Sequence, residues 1–213
     1  MTLPLKHPFT CLISGPTGSG KSQFVAKIIR FKNEMILPVP DKIFWCYDEY
    51  QPLYQDVARD DSDIQFLKGF PSDIEEEMDG DQRILLIIDD LMTEMSNNKR
   101  LSNLFSKGSH HKNVSVVFIQ QNLFYHGKEG KSLRLNCHYL VLFKSPSDRQ
   151  QIGTLARQMH PKNSHYIVEA YDDATRGPYS YLFLDHKPET DDRLRVRTNM
   201  FPGETQYVYL RKT

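Results

Sequence analysis

Phe9-Thr-Cys-Leu-Ile-Ser-Gly-Pro-Thr-Gly-Ser-Gly-Lys-Ser22 decides how this 213-residue chain is read. Phe9 to Ser14 is an apolar run of strand length. Gly15 to Ser22 then fits the pattern GxxxxGK[ST] at every fixed position. From Lys21 to about Met35, apolar residues recur at Phe24, Val25, Ile28, Ile29 and Phe31, the spacing of one helix face, and Pro38 and Pro40 end the pattern. Strand, glycine-rich turn and helix together cradle a phosphate chain. Gly15, Gly18 and Gly20 allow backbone angles that aim successive N–H groups inward, with Pro16, Thr17 and Ser19 between them, and the helix start adds partial positive charge. Lys21 supplies a point charge for the β- and γ-phosphates, and Ser22 a hydroxyl for Mg²⁺. The expected cofactors are ATP and Mg²⁺. No purine-reading motif is visible, so ATP and GTP both stay open.

Working outward, four further apolar runs read as strands: Lys42–Tyr47, Arg83–Asp89, Val114–Gln120 and His138–Phe143. Arg83–Asp89 is apolar nearly throughout, as a strand covered on both faces should be. Residues 147–159 read as a helix and Tyr179–Asp185 as a strand. This alternation predicts an α/β fold with a mainly parallel central sheet and extra C-terminal β-strands. The match to GxxxxGK[ST], and not the alternation, is what makes a P-loop NTPase (ASCE/RecA-like) three-layer sandwich the expected form. One domain is expected over 1–213, with its core at about 8–185 and a β-rich extension at about 186–213.

The phosphate loop needs an acid at the carboxyl end of a neighbouring strand, and Ile84-Leu-Leu-Ile-Ile-Asp89-Asp90 provides two. Strand alternation is expected to send their side chains to opposite sides, so that Asp89 holds the metal while Asp90 orients the attacking water. The other reading of Asp90 is a helix cap or loop acid. Gln120-Gln121-Asn122 ends the next strand, where Gln121 can hydrogen-bond a γ-phosphate and a lytic water, although turn chemistry also favours such residues.

Composition limits the alternatives. Lys and Arg number 27 against 27 Asp and Glu, and 39% of residues are hydrophobic, an ordinary globular balance rather than that of a disordered tail. No apolar run reaches membrane-spanning length, and Pro4, Lys6, His7 and Pro8 break any secretory leader. Cys11, Cys46 and Cys137 are widely spaced, which suits buried thiols in a reduced compartment, and Cys137-His138 lacks partners at zinc-ligand spacing. Charge is uneven along the chain. Residues 56–90 carry twelve acids and three bases, whereas 99–150 carry nine bases and two acids. A local basic surface for a polyanion is compatible with zero net charge. The tyrosines at 166, 171, 179, 181, 207 and 209 suit either strands or base stacking.

GPTGSGKS at 15–22, LLIIDD at 85–90, Phe105-Ser-Lys-Gly-Ser-His-His111 before the strand ending at Gln121, and Leu133-Arg134-Leu-Asn136-Cys-His-Tyr-Leu-Val-Leu-Phe143 follow one another in a telling order. In this the chain resembles the FtsK–HerA superfamily of P-loop ATPases, especially the genome-packaging ATPases of large double-stranded DNA viruses, Polinton-type elements and virophages. Members often have Arg-His where this chain has His110-His111, and Glu where it has Asp90. The resemblance implies an ATPase motor that translocates double-stranded DNA, packaging it into a capsid. It also implies a homo-oligomeric ring, commonly a hexamer, whose ATP sites are completed by an arginine from the neighbouring subunit.

Arg134 lies in the stretch matching the family's Arg-x-Asn segment and is the first candidate for that arginine, with Arg149 and Arg100 behind it. Lys107, His110, His111, Lys112, Lys128 and Lys131 are candidate DNA-facing residues, since phosphate contact needs charge rather than sequence readout. The implied setting is intracellular, in host cytoplasm or nucleus, with possible presence in the virion and docking on a capsid or portal component. Two other classes stay open from the residues: a P-loop kinase of a small acceptor, and a non-catalytic, nucleotide-dependent capsid assembly protein.

Overall fold

Every residue of Thr10–Ser14, Ile84–Asp89, Val114–Gln120 and Tyr139–Phe143 is buried, so these strands are covered on both faces. A computed structural model shows how, describing residues 3–71, 74, 81–91, 113–124 and 134–211. In chain order the described elements are β1 (Leu5–Lys6), β2 (Thr10–Ser14), α1 (Lys21–Arg30), α2 (Lys32–Met35), β3 (Ile36–Leu37), β4 (Lys42–Tyr47), α3 (Leu53–Asp60), β5 (Ile64–Lys68), β6 (Ile84–Asp89) and β7 (Val114–Gln120). There follow β8 (Tyr139–Phe143), α4 (Gln150–Met159), α5 (His165–Ala174), β9 (Tyr181–Asp185), a 3₁₀ turn (Asp192–Leu194), β10 (Val196–Thr198) and β11 (Tyr207–Val208).

A nine-stranded sheet runs in the order β11-β10-β9-β8-β2-β7-β6-β4-β5. From β5 to β8 all neighbours are parallel, while β9, β10 and β11 each pair antiparallel with the strand before. The fold is thus α/β with a mainly parallel sheet and extra C-terminal strands. Strand β7 lies between β2 and β6, pairing Ser14 with Gln120 and Ile119 with Asp89. That register brings the ends of all three strands to one edge.

Side-chain alternation divides the core into two layers. Leu12, Phe44, Leu86, Ile88, Phe118, Leu140 and Leu182 pack under α4 and α5 through Ile152, Leu155, Ile167 and Tyr171. Ile13, Ile43, Trp45, Ile87, Ile119, Val141 and Phe183 pack under α1 and α3 through Phe24, Val25, Ile28, Tyr54 and Val57. Cys11, Cys46 and Cys137 are all buried. Among the described residues, no helix is long and apolar enough to cross a membrane.

Some local expectations need correction. The helix read over Lys21 to Met35 breaks at Phe31, where φ −104° and ψ 24° leave helical space, and only a short second helix follows. Tyr166 and Tyr171 belong to a helix, not to a tyrosine-rich strand. Tyr166 donates to the Tyr209 carbonyl at 2.6 Å and Tyr171 to the Phe143 carbonyl at 2.9 Å, so both phenols tie α5 to the sheet.

Candidate nucleotide site

Between β2 and α1, residues Gly15 to Gly20 wrap a turn whose glycines serve two different needs. Gly18 at φ 76° and Gly20 at φ 101° sit in the left-handed region, where a side chain is strained. Gly15 instead lacks room: a Cβ there would meet Phe143 Cβ at 2.6 Å and Ser19 Oγ at 2.8 Å. Of the three glycines expected to supply unusual backbone angles, Gly15 is therefore needed for space. The buried Ser19 hydroxyl has no described partner.

Lys21 starts α1 and is buried. Its ammonium donates to the carbonyls of Gly15 at 2.7 Å and Pro16 at 3.0 Å, closing the loop around the amine. Burial lowers its pKa, and the charges of Asp89 and Asp90 oppose the fall. Ser22, one residue on, donates its hydroxyl to Asp89 Oδ2 at 3.1 Å. The two halves of the expected site, 67 residues apart in sequence, therefore meet directly.

Asp89 is 5% exposed. Its Oδ2 also accepts the Trp45 indole N–H and the Tyr54 hydroxyl, each at 3.3 Å. Burial pushes the carboxyl pKa up, and these three donors pull against it. A hydroxyl and an oxygen-donor acid side by side at the start of α1 suit a hard cation, so Ser22 and Asp89 fit a Mg²⁺ ion.

Asp90 departs from its expected geometry. It is not the next residue of an alternating strand, because β6 ends at Asp89 and Asp90 turns out at φ 58°. Its amide donates to the Ile119 carbonyl at 3.2 Å, which fixes the turn against β7. The exposed carboxylate accepts the Gln121 side-chain amide at 2.8 Å. A left-handed non-glycine residue is costly backbone, held here by its neighbours.

Thr17, Gly18, Gly20, Lys21, Ser22, Asp89, Asp90 and Gln121 all line one open cleft of about 1320 Å³. Sequence reading missed its two side walls. Gln51, Pro52, Leu53, Asp56 and Val57 form one, from the start of α3. Pro178, Tyr179, Asn199, Phe201 and Glu204 form part of the other. Tyr179 and Asn199 are both left-handed, at φ 58° and 55°. The Tyr179 ring lies over Gly20, its Cδ1 3.2 Å from where a Cβ would stand. The available signal was the tyrosine excess, which does not say which ring faces the loop.

Arg134 is outside this cleft and engaged within its own chain. It is 5% exposed, its guanidinium stacks on Phe124 at 4.0 Å and reaches Gln158 at 3.4 Å, and its Nε has no described partner. Arg149 pairs with Asp172 at 2.5 Å on the surface. Arg100, Lys107, His110, His111, Lys112, Lys128 and Lys131 lie outside the described residues.

The sheet and loop together are those of the P-loop NTPase fold of α/β proteins. No protein-family model matches the chain, and no curated protein matches it in sequence. Solved structures do match. The genome packaging NTPase B204 of Sulfolobus turreted icosahedral virus 2, in complex with AMPPCP, aligns with a TM-score of 0.55 at 11% identity, over 95% of this chain and 97% of that one. B204, the DNA-packaging ATPase of Sulfolobus turreted icosahedral virus, aligns with a TM-score of 0.55 at 9% identity, over 97% and 100%. The cytoplasmic domain of the Thermomonospora curvata type VII secretion ATPase EccC aligns with a TM-score of 0.58 at 11% identity, over 88% of this chain and 26% of that one. In fold, the chain resembles viral genome-packaging NTPases.

Proposed function

We propose that this protein is a Mg²⁺-dependent ATPase whose hydrolysis drives double-stranded DNA, and that the DNA is a viral or virus-like genome entering a capsid. The observation that carries the catalytic part is the convergence of Lys21, Ser22, Asp89, Asp90 and Gln121 on one cleft, with Ser22 and Asp89 3.1 Å apart. The near full-length likeness in fold to B204 supports the packaging part.

In this reading Lys21 trades the Gly15 and Pro16 carbonyls for phosphate oxygens, and the loop amides hold the rest of the chain of phosphates. Ser22 and Asp89 hold Mg²⁺, which when bound neutralises charge on the β- and γ-phosphates. Asp90, exposed and aimed by Gln121, accepts a proton from the attacking water. Gln121 leaves Asp90 when it turns to the γ-phosphate, so it registers whether that group is present. The base lies against Tyr179. Paired acids at this edge favour water as acceptor over a kinase substrate. Subunits assemble as a ring, commonly a hexamer, with Arg134 as the arginine given to a neighbour's site and the basic residues of 107–112 and 128–131 facing DNA. The setting is inside the host cell or on the virion, with a capsid or portal component as docking partner.

ATP hydrolysis measured with and without double-stranded DNA, across a salt series, tests this. The expected result is turnover that DNA stimulates and salt suppresses, absent in Lys21→Ala. Phosphate transfer to a small acceptor, or ATP binding without turnover, would instead establish the kinase or the assembly protein.

A further inference from the structure

Three hydrogen-bond donors crowd one oxygen of Asp89. Ser22 Oγ at 3.1 Å, Trp45 Nε1 at 3.3 Å and Tyr54 Oη at 3.3 Å all address Oδ2. Among the described residues, Oδ1 accepts none. A carboxylate oxygen has two lone pairs, so three donors at these lengths are one more than it holds well. Ser22 is the donor with other work to do, because its hydroxyl is the one placed to meet a cation. Trp45 and Tyr54 are fixed beside the carboxylate, and the indole N–H also reaches the Tyr54 hydroxyl, so the two donors act as one linked pair. Both are essentially inaccessible to water, at 0% and 1% exposure. Their rings are wedged against each other at 5.3 Å and against Phe66 at 5.6 Å and 4.9 Å.

Resting on the nucleotide-site reading above, we propose that Trp45 and Tyr54 are positioning residues for the metal site. They hold Asp89 Oδ2 beside the Ser22 hydroxyl, so that the carboxylate would already be set in place for a cation shared with Ser22. Neither residue touches the nucleotide. One comes from the strand beside β6 and the other from the helix covering it, so the carboxylate is fixed from two independent elements. Side-chain rotation that Asp89 would otherwise lose on binding Mg²⁺ is already spent in the folded chain. A second consequence follows from composition. Trp45 is the single tryptophan of the protein, so its indole reports on Asp89 without any label.

The test compares ATP binding by the full chain in EDTA and across a Mg²⁺ titration, for the native sequence, Tyr54→Phe, Trp45→Phe and the packing control Phe66→Leu. Removing one anchoring hydrogen bond should raise the Mg²⁺ concentration for half-saturation about 5- to 10-fold in Tyr54→Phe and in Trp45→Phe. ATP affinity in EDTA should stay within twofold. Phe66→Leu should lower the melting temperature and leave the Mg²⁺ dependence alone. In the native chain, Mg²⁺ added at saturating ATP should change the Trp45 emission beyond what ATP in EDTA does. That last measurement decides the matter even where a variant fails to fold. Unchanged half-saturation in folded Tyr54→Phe and Trp45→Phe, or an indole indifferent to Mg²⁺, overturns the anchoring while leaving the ATPase reading intact. A native chain that binds no ATP in either condition overturns both.

Discussion

Gln121 donates its side-chain amide to Asp90 Oδ2 at 2.8 Å, and the two residues follow the ends of adjacent parallel strands. One is the acid at the phosphate edge that can take a proton. The other is a neutral amide able to point at either that acid or a γ-phosphate. Because the contact joins β6 to β7, a change in one side chain is felt by the other strand.

Asp90→Asn should therefore keep ATP binding within about threefold and lose at least about 10²-fold in turnover, the scale of a lost general base. Gln121→Ala should lose about 10-fold, through a misdirected Asp90. The double variant should be no slower than Asp90→Asn alone, since the amide has nothing left to aim. Equilibrium binding and single-turnover hydrolysis on the same preparations check this, and additive losses would separate the two residues.

Tyr179 is 71% exposed, left-handed and set over Gly20 at the mouth of the cleft. An exposed ring next to the phosphate loop offers a stacking face for a base. Tyr179→Ala should weaken ATP binding about tenfold, within the range for base stacking on an aromatic side chain. Tyr179→Phe should keep it. Melting temperature should not move in either, because so little of the ring is buried. Binding of inorganic triphosphate, which has no base, should be equal in all three proteins.

How much of this was legible beforehand depended on the range of the interaction. Strands β2, β4, β6, β7 and β8 announced themselves because a sheet covered on both faces demands unbroken apolar runs, whereas β5, with Ile64 alone of its five residues buried, did not. The loop from Gly15 to Ser22 did so because its chemistry is local. Helix α3 did not, since only Tyr54 and Val57 of its eight residues are buried and the surrounding segment is acidic. The contacts of Asp89 with Trp45 and Tyr54 depend on the β4–β6 register, which no local pattern encodes. Asp90 was misread for a related reason. Alternation holds only while the strand continues, and the turn that ends it is set by the Ile119 carbonyl. Strands β10 and β11 have three and two residues, too few to show a period.

His7 gives the fold a pH dependence on the side of the sheet away from the cleft. Its ring contacts Ser115 Oγ at 2.6 Å and Asn113 Oδ1 at 3.1 Å. Burial lowers its pKa below 6.5, with the Arg83 charge adding, while Asn113 and the Asp41 charge oppose. The unfolded chain then binds the proton more readily than the folded one. Stability is full above about pH 6.5 and falls as pH drops below it, by up to about 1.4 kcal/mol per pH unit for the one group. His186, lowered mainly by burial, acts in the same direction. Urea midpoints measured from pH 7.5 to 5 should decline in the native chain. The decline should be shallower in His7→Gln, whatever that variant loses in absolute stability.

Arg134 poses a choice between two uses of one guanidinium. Within its chain it is buried, stacked on Phe124 and close to Gln158. Burial lowers its pKa, and its Nε has no described partner, so the stack holds the charge at some expense. To complete a neighbour's ATP site it must leave that stack when subunits meet. Both uses predict inactivity for Arg134→Ala, but for different reasons. A packing role lowers the melting temperature of the isolated subunit and spoils that subunit's own site. A role in trans leaves the variant's own site sound. Mixing Arg134→Ala with Lys21→Ala subunits tells them apart, because in a shared-site ring some interfaces pair an intact loop with an intact arginine. Recovery of DNA-stimulated hydrolysis in the mixture, from two inactive parents, is the expected result. A stable mixed ring without recovery would leave Arg134 as a packing residue of its own subunit.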